Sequence, residues 1–221
     1  MIDRRVRYLQ LAFNDDLATA TRIVATLPRN PRLLIEAGTP FIKREGLAGI
    51  RSLRALWPHG LVADLKTSDG GAEEGAMAAA AGATAATVLG SCPTETLQGF
   101  IAAARSEGVD SLIDHIGVAE PLETMRQLRT PPTGVILHLG RDEENTRGKV
   151  IQYRHVNRIR SKSDVALSAA GGVALHGART AIFNGANIVV ANIVPPDKPW
   201  QGIPAGGAVA AIAQQFLDTI E

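Results

Sequence analysis

Eight short apolar runs punctuate the chain: YLQLAF (8–13), LLIEA (33–37), LVADL (61–65), ATVLG (86–90), SLIDHI (111–116), GVILHL (134–139), VALSAA (165–170) and IVVAN (188–192). Each has the length and composition of a buried strand. Between them lie stretches with helical spacing or composition, at 16–27, 42–57, 73–81, 94–107, 122–128, 151–160 and 175–184, with 205–220 after the eighth run. Strands that alternate with helices imply parallel pairing through crossover helices. Eight units in 221 residues average about 28 residues each, the size of a compact (β/α)8 barrel. A doubly wound open sheet is the alternative, but no G-x-G-x-x-G follows the first run. The expectation is an α/β protein, one (β/α)8 domain over residues 1–221.

Several runs carry polar residues where a barrel wall calls for apolar ones: Glu36, Asp64, Asp114, His115 and His138. All lie near the C-terminal ends of their runs, the end at which such barrels hold their active sites. A charge buried without a partner is costly, so these residues are either paired or functional. The segment Asp64-Leu65-Lys66-Thr67-Ser68-Asp69 concentrates the chemistry. Asp64 and Lys66 share one strand face, and Asp69 follows in the turn. A lysine between the carboxylates of Asp64 and Asp69 stays an ammonium and can stabilise or protonate an enolate. The motif alone serves equally well as a salt-bridge cluster at a strand end.

Composition narrows the class of partner. The 23 Lys+Arg against 22 Asp+Glu leave a net charge of +1, which draws the chain to neither nucleic acid nor membrane. The basic stretch 147–162 contains Tyr153 as its single aromatic and reads as a solvated face. No apolar run approaches the roughly 18–20 residues of a bilayer span. No N-terminal signal pattern is evident, and one cysteine, Cys92, suits a reducing compartment, so a cytoplasmic protein is expected.

Ala63-Asp64-Leu65-Lys66-Thr67-Ser68-Asp69-Gly70-Gly71 resembles the D-x-K-x-x-D signature of the orotidine-5'-phosphate decarboxylase superfamily. Around it, the stretch 36–46 (EAGTPFIKREG) is similar to the strand-two segment of 3-hexulose-6-phosphate synthases. Thr87-Val88-Leu89-Gly90-Ser91, Ile116-Gly117-Val118 and Ala170-Gly171-Gly172-Val173 resemble the same subgroup.

The resemblance implies a homodimeric (β/α)8 barrel with active sites shared between subunits. It implies a Mg²⁺-dependent lyase acting on a sugar phosphate through an enediolate. One activity is an aldolase/synthase joining formaldehyde to ribulose 5-phosphate. The alternative is a 3-keto sugar-acid phosphate decarboxylase such as the 3-keto-L-gulonate-6-phosphate enzymes. A divergent barrel with another substrate, or with a binding role alone, stays open as well. By resemblance Glu36 and Asp64 hold the metal, Lys66 handles the enediolate, and Asp69 reaches the partner's site. His138 handles protons or hydroxyls, and Asp114 lies nearby.

Two positions depart from the family pattern. Asn14 stands where the family has aspartate at the end of strand one, with Asp15 and Asp16 directly after it as replacements after a one-residue shift. Asn192 stands where strand eight has glycine or arginine. Half the phosphate cradle, Gly171-Gly172, is kept, with Arg141 and Arg179 as compensating cations. Arginine at position 141 resembles the decarboxylases more than the synthases. The expectation is weakened phosphate binding.

Overall fold

The computed structural model describes every residue of the chain except Asn145 and Pro199. Eight parallel strands form the wall: β1 (Tyr8–Phe13), β2 (Leu33–Ala37), β3 (Leu61–Thr67), β4 (Ala85–Leu89), β5 (Asp110–Asp114), β6 (Gly134–His138), β7 (Ala166–Ala170) and β8 (Ile188–Val194). They pair in sequence order, and β1 also pairs with β8, Leu9 opposite Val189 and Phe13 opposite Ile193. The sheet therefore closes on itself and leaves no open edge between the first and eighth strands.

Helices follow each strand: α1 (Leu17–Val24), α2 (Thr39–Leu56), α3 (Gly71–Ala80), α4 (Thr94–Ser106), α5 (Pro121–Gln127), α6 (His155–Lys162), α7 (Leu175–Phe183) and α8 (Val209–Thr219). The (β/α)8 expectation is met. The differences lie at edges. α2 is two helices meeting at Gly46, whose φ of 61° and ψ of −160° are not helical. α6 and α8 begin four residues later than the apolar spacing predicts, since Ile151 and Ala205 belong to preceding turns. A two-residue strand, β9 (Ile203–Pro204), extends the sheet beside Ile193 and Val194. Two residues, one a proline, carry no readable strand pattern.

Period-two alternation divides the wall. Leu9, Leu11, Phe13, Leu33 and Ile35 face outward into a core shared with the helices. Tyr8, Ala12, Leu34, Val62, Leu112 and Ile136 fill a separate inner core. The small residues of α3 serve its neighbour: a Cβ on Gly71 would strike the Thr96 carbonyl, and Gly75 lies against Phe100. Above the inner core the inward positions of β2, β3, β5, β6 and β8 become polar, and this change from apolar to polar makes the site. Among the described residues no helix is long and apolar enough to cross a membrane.

Candidate active site

At the C-terminal mouth a cavity of about 320 Å³ opens above the inner core. Lys66 stands in its wall. The register of β3 against β4 shifts between Ala63 and Thr67, and Lys66 has a φ of 47°, the left-handed region that few non-glycine residues occupy. The Lys66 amide donates to Thr87 Oγ1 at 3.0 Å, which anchors the bulge. A bulge re-aims the side chain that follows it, and strain of this kind concentrates at functional sites.

The Lys66 ammonium donates to Asp64 Oδ2 at 2.8 Å and to Asp114 Oδ2 at 2.8 Å. Asp64 also accepts from Thr39 Oγ1 and Thr87 Oγ1, each at 2.8 Å. Asp114 lies 2.8 Å from His138 Nδ1 and accepts from the Ile116 amide at 2.9 Å. Burial alone would depress the Lys66 ammonium, but Asp64 and Asp114 outweigh it and hold it well above its ordinary value. Burial would likewise raise Asp114, yet His138 and Lys66 hold its carboxyl below the usual range. The network is thus a hydrogen-bonded chain, Asp64–Lys66–Asp114–His138, in which the Lys66 ammonium is answered by two carboxylates.

This arrangement corrects one expectation. The second carboxylate on Lys66 is Asp114, from two strands away, and not Asp69. Asp69 is exposed in the turn after β3, where its Oδ1 accepts from the Gly70 amide, and it does not line the cavity of its own chain.

Glu36 sits buried beside the network, with its Oε2 accepting from Gln10 Nε2. Burial, reinforced by the charge of Asp64, pushes its carboxyl up to about 7. Gln10 Oε1 is buried without a hydrogen-bond partner. Among the described residues no group of three or more His, Cys, Asp or Glu side chains is placed to hold a metal. Two carboxylates and an orphaned amide oxygen nonetheless suit Mg²⁺, which is commonly held by one or two carboxylates while waters and substrate complete its shell. A cation here would offset the burial and the Asp64 charge that raise the Glu36 carboxyl.

Other assignments divide. Asn14 lines the cavity and donates from Nδ2 to Asn192 Oδ1 at 3.2 Å, so the two departures from the family pattern answer each other across β1 and β8. Asp15 and Asp16 do not replace a strand-one carboxylate. Asp15 pairs with Arg44 at 3.0 Å, and Asp16 caps α1 through the Thr19 amide. His115 points away from the mouth, one residue out of phase with Asp114, and packs its ring against Gly90. Neither ring nitrogen has a partner, and burial pushes the imidazole down to about 4.

Arg141 lines the cavity with its guanidinium 4.3 Å from the centre of the Trp200 ring. Arg179 is exposed on α7 and lines no cavity at the mouth, so it supplies no anion-site charge. Gly171 and Gly172 have φ of 99° and 59°, and a Cβ on Gly171 would collide with the Leu139 carbonyl. Glycine is required there. Cys92 Sγ donates to the Thr67 carbonyl at 3.2 Å, and burial raises its thiol, a passive environment. The basic stretch lies on the surface as expected, with Arg158 paired to Glu120 and Lys149 to Glu143.

Four contributors escaped the sequence reading. Gln10 shares the inward parity of Tyr8 and Ala12, so its signal was present. Thr39, Thr87 and Glu144 had none, because their roles come from contacts across strands and loops.

Comparison with known proteins agrees with this geometry. The Orotidine 5'-phosphate decarboxylase / HUMPS family description matches residues 7–192. A bifunctional Fae/Hps enzyme of Methanothrix thermoacetophila is 32% identical over 216 residues, 97% of this chain and 53% of that protein. Its counterpart in Methanocella arvoryzae is 36% identical over 187 residues, 83% of this chain and 47% of that protein. The chain thus spans about half the length of the curated relatives it matches. A crystal structure of a 3-hexulose-6-phosphate synthase superposes with a TM-score of 0.81 at 30% identity, covering 97% of this chain and all of that one. Together with the Asp64–Lys66–Asp114–His138 network, these matches make the chain a member of the orotidine 5'-phosphate decarboxylase / HUMPS family.

Proposed function

We propose that this chain is a lyase of the hexulose-phosphate synthase kind, joining formaldehyde to ribulose 5-phosphate and running the reverse cleavage. The observation that carries the reading is the Lys66 ammonium, fixed between Asp64 and Asp114 at the head of a cavity of sugar size. The reaction removes a proton from C1 of the ketose phosphate, leaving an enediolate. The new carbon–carbon bond then forms to formaldehyde, whose oxygen takes up a proton. Asp114 accepts a proton-bearing His138 Nδ1, which leaves Nε2 as the acceptor able to take and return that proton. Lys66 donates its remaining N–H to the developing oxyanion. Mg²⁺, held by Glu36 and Asp64, would supply further charge stabilisation to the enediolate oxygens.

The homodimer with shared sites belongs to the same proposal, and exposed Asp69 supports it, since this carboxylate of the signature motif does not line the cavity of its own chain. A second reading has its own observation. Arg141 lines the cavity, where a cation suits a substrate carboxylate, and this favours a 3-keto sugar-acid phosphate decarboxylase.

An assay with Mg²⁺ separates the two. Formaldehyde-dependent consumption of ribulose 5-phosphate supports the synthase. Carbon dioxide release from 3-keto-L-gulonate 6-phosphate, without that consumption, overturns it. Mixing inactive Lys66→Ala and Asp69→Ala proteins tests the sharing of sites: a mixed dimer holds one intact site and regains activity, whereas independent sites stay inactive.

A further inference from the structure

The side of the mouth formed by β7 carries a feature that neither the family pattern nor the proposed reaction accounts for. The left-handed Gly171-Gly172 turn leads to α7 and presents backbone N–H groups, a ready anion seat. In this structure a side chain of the same molecule lies against that seat. Glu144 follows the 3-10 turn Arg141–Glu143 and lies against Gly172, where an added Cβ would come within 3.3 Å of both its Cγ and Cδ. Its Oε2 accepts from the Gln201 amide at 3.4 Å, and its Oε1 is buried with no partner. Glu144 also borders two spaces at once. On one side is the cavity of Lys66, and on the other a hollow of about 270 Å³ lined by Lys149, Gly172, His176 and Thr180.

The geometry points to Glu144 as a specificity-determining residue: its carboxylate occupies the seat of a substrate phosphate monoester, and an anionic ligand must displace it to bind. This inference rests on the sugar-phosphate reading of the same site. The chemistry allows no sharing. A carboxylate only accepts hydrogen bonds, so it cannot bond a phosphate dianion, and the two repel. Displacement is feasible because the seated form leaves one buried oxygen unsatisfied. Burial raises the Glu144 carboxyl, while the Gln201 amide, the charge of Arg141 and the Gly172 amide work to keep it ionised. Phosphate affinity is then reduced by the fraction of molecules in which the seat is open. A seat open about one-tenth of the time costs about tenfold. Weak phosphate binding on this account comes from an occupied cradle and not only from Asn192.

Calorimetric titration with inorganic phosphate, and separately with ribulose 5-phosphate, tests this on the whole chain and on Glu144→Ala and Glu144→Gln. Both variants are expected to bind inorganic phosphate about tenfold or more tightly, with ribulose 5-phosphate competing for the same site. A gain in affinity cannot come from misfolding, and Glu144→Gln preserves volume in case Glu144→Ala unfolds. Unchanged or weaker phosphate binding in a folded variant overturns the inference. The readout needs no turnover. A missing formaldehyde reaction with tightened phosphate binding defeats the synthase reading alone, and the converse defeats this one alone.

Discussion

From β3 to β6 the mouth is a continuous hydrogen-bonded chain: Asp64, Lys66, Asp114 and His138 hold one another at 2.8 Å. Across the cavity, β7 and β8 contribute no charged side chain. That side offers a glycine turn with Glu144 packed against it and a neutral Asn14–Asn192 pair. The first side is preorganised, with partners that are present before any ligand arrives. The second side, on the inference drawn above, is self-occupied, and a ligand must remake its contacts. Preorganised charge serves a step in which charge develops. A self-occupied seat serves discrimination among ligands. On the proposed reading, the difference separates the side that performs chemistry from the side that selects the substrate.

Breaking the first side has the largest expected effect. Lys66→Met leaves Asp64 and Asp114 facing each other without a cation. Catalysis of the proposed reaction should fall by about 10²–10⁴-fold, and stability by about 3–5 kcal/mol. Steady-state rates and urea unfolding read the two losses separately. A Lys66→Met protein with full activity would remove the network from the chemistry.

Next is the support behind that network. His115 is buried neutral at a value of about 4 against 6.5 when exposed. A depressed histidine stabilises the fold above its unfolded value, and that stability is lost as pH falls from 6.5 toward 4. The loss reaches at most about 3 kcal/mol. His115→Leu should flatten that part of the stability curve, measured by urea midpoints between pH 7 and pH 4, while leaving the pH 7 value nearly unchanged. Identical pH profiles for the two proteins would show that His115 bears no proton-linked cost.

Gly171→Ala probes the second side. Its Cβ meets the Leu139 carbonyl at a φ of 99°, so either the turn opens or β6 shifts. A destabilisation of about 1–3 kcal/mol is expected, together with weaker binding of inorganic phosphate and an unchanged Lys66 network. Urea unfolding and phosphate titration of the same sample check this. The smallest effect belongs to Asn14→Asp, which sets a carboxylate against Asn192 Oδ1. Loss of that bond costs about 1 kcal/mol, read as a shift of the urea midpoint. A stabilised Asn14→Asp protein would mean that the Asn14–Asn192 pair does not join the two sides.

Legibility followed the same division. β1 and β2 occupy the residues that their apolar runs mark out, because a wall strand buried on both faces is a continuous apolar segment. Glu36, Asp64, Lys66, Asp114 and His138 stand out because a charge inside such a segment demands a partner or a function. His115 shows the limit of that argument. It has the same composition signal as Asp114, but adjacent strand residues face opposite ways, and phase decides which of the two enters the cavity. Lys66 shows another limit, since its partner is chosen by a bulge and a strand crossing that no local pattern records.

The sequence by itself determined the alternation of strands and helices, the closure expected of eight such units, and the set of polar residues at the strand ends. Each follows from periodicity and from the cost of burying charge, which are properties of neighbouring residues. Only the tertiary structure decided that Asp114 rather than Asp69 holds Lys66, that Asn14 and Asn192 pair, and that Glu144 lies against the glycine turn. Those contacts join residues 48, 178 and 28 positions apart. Barrel closure brings them together, and the pairing is set by distance in space rather than by order along the chain.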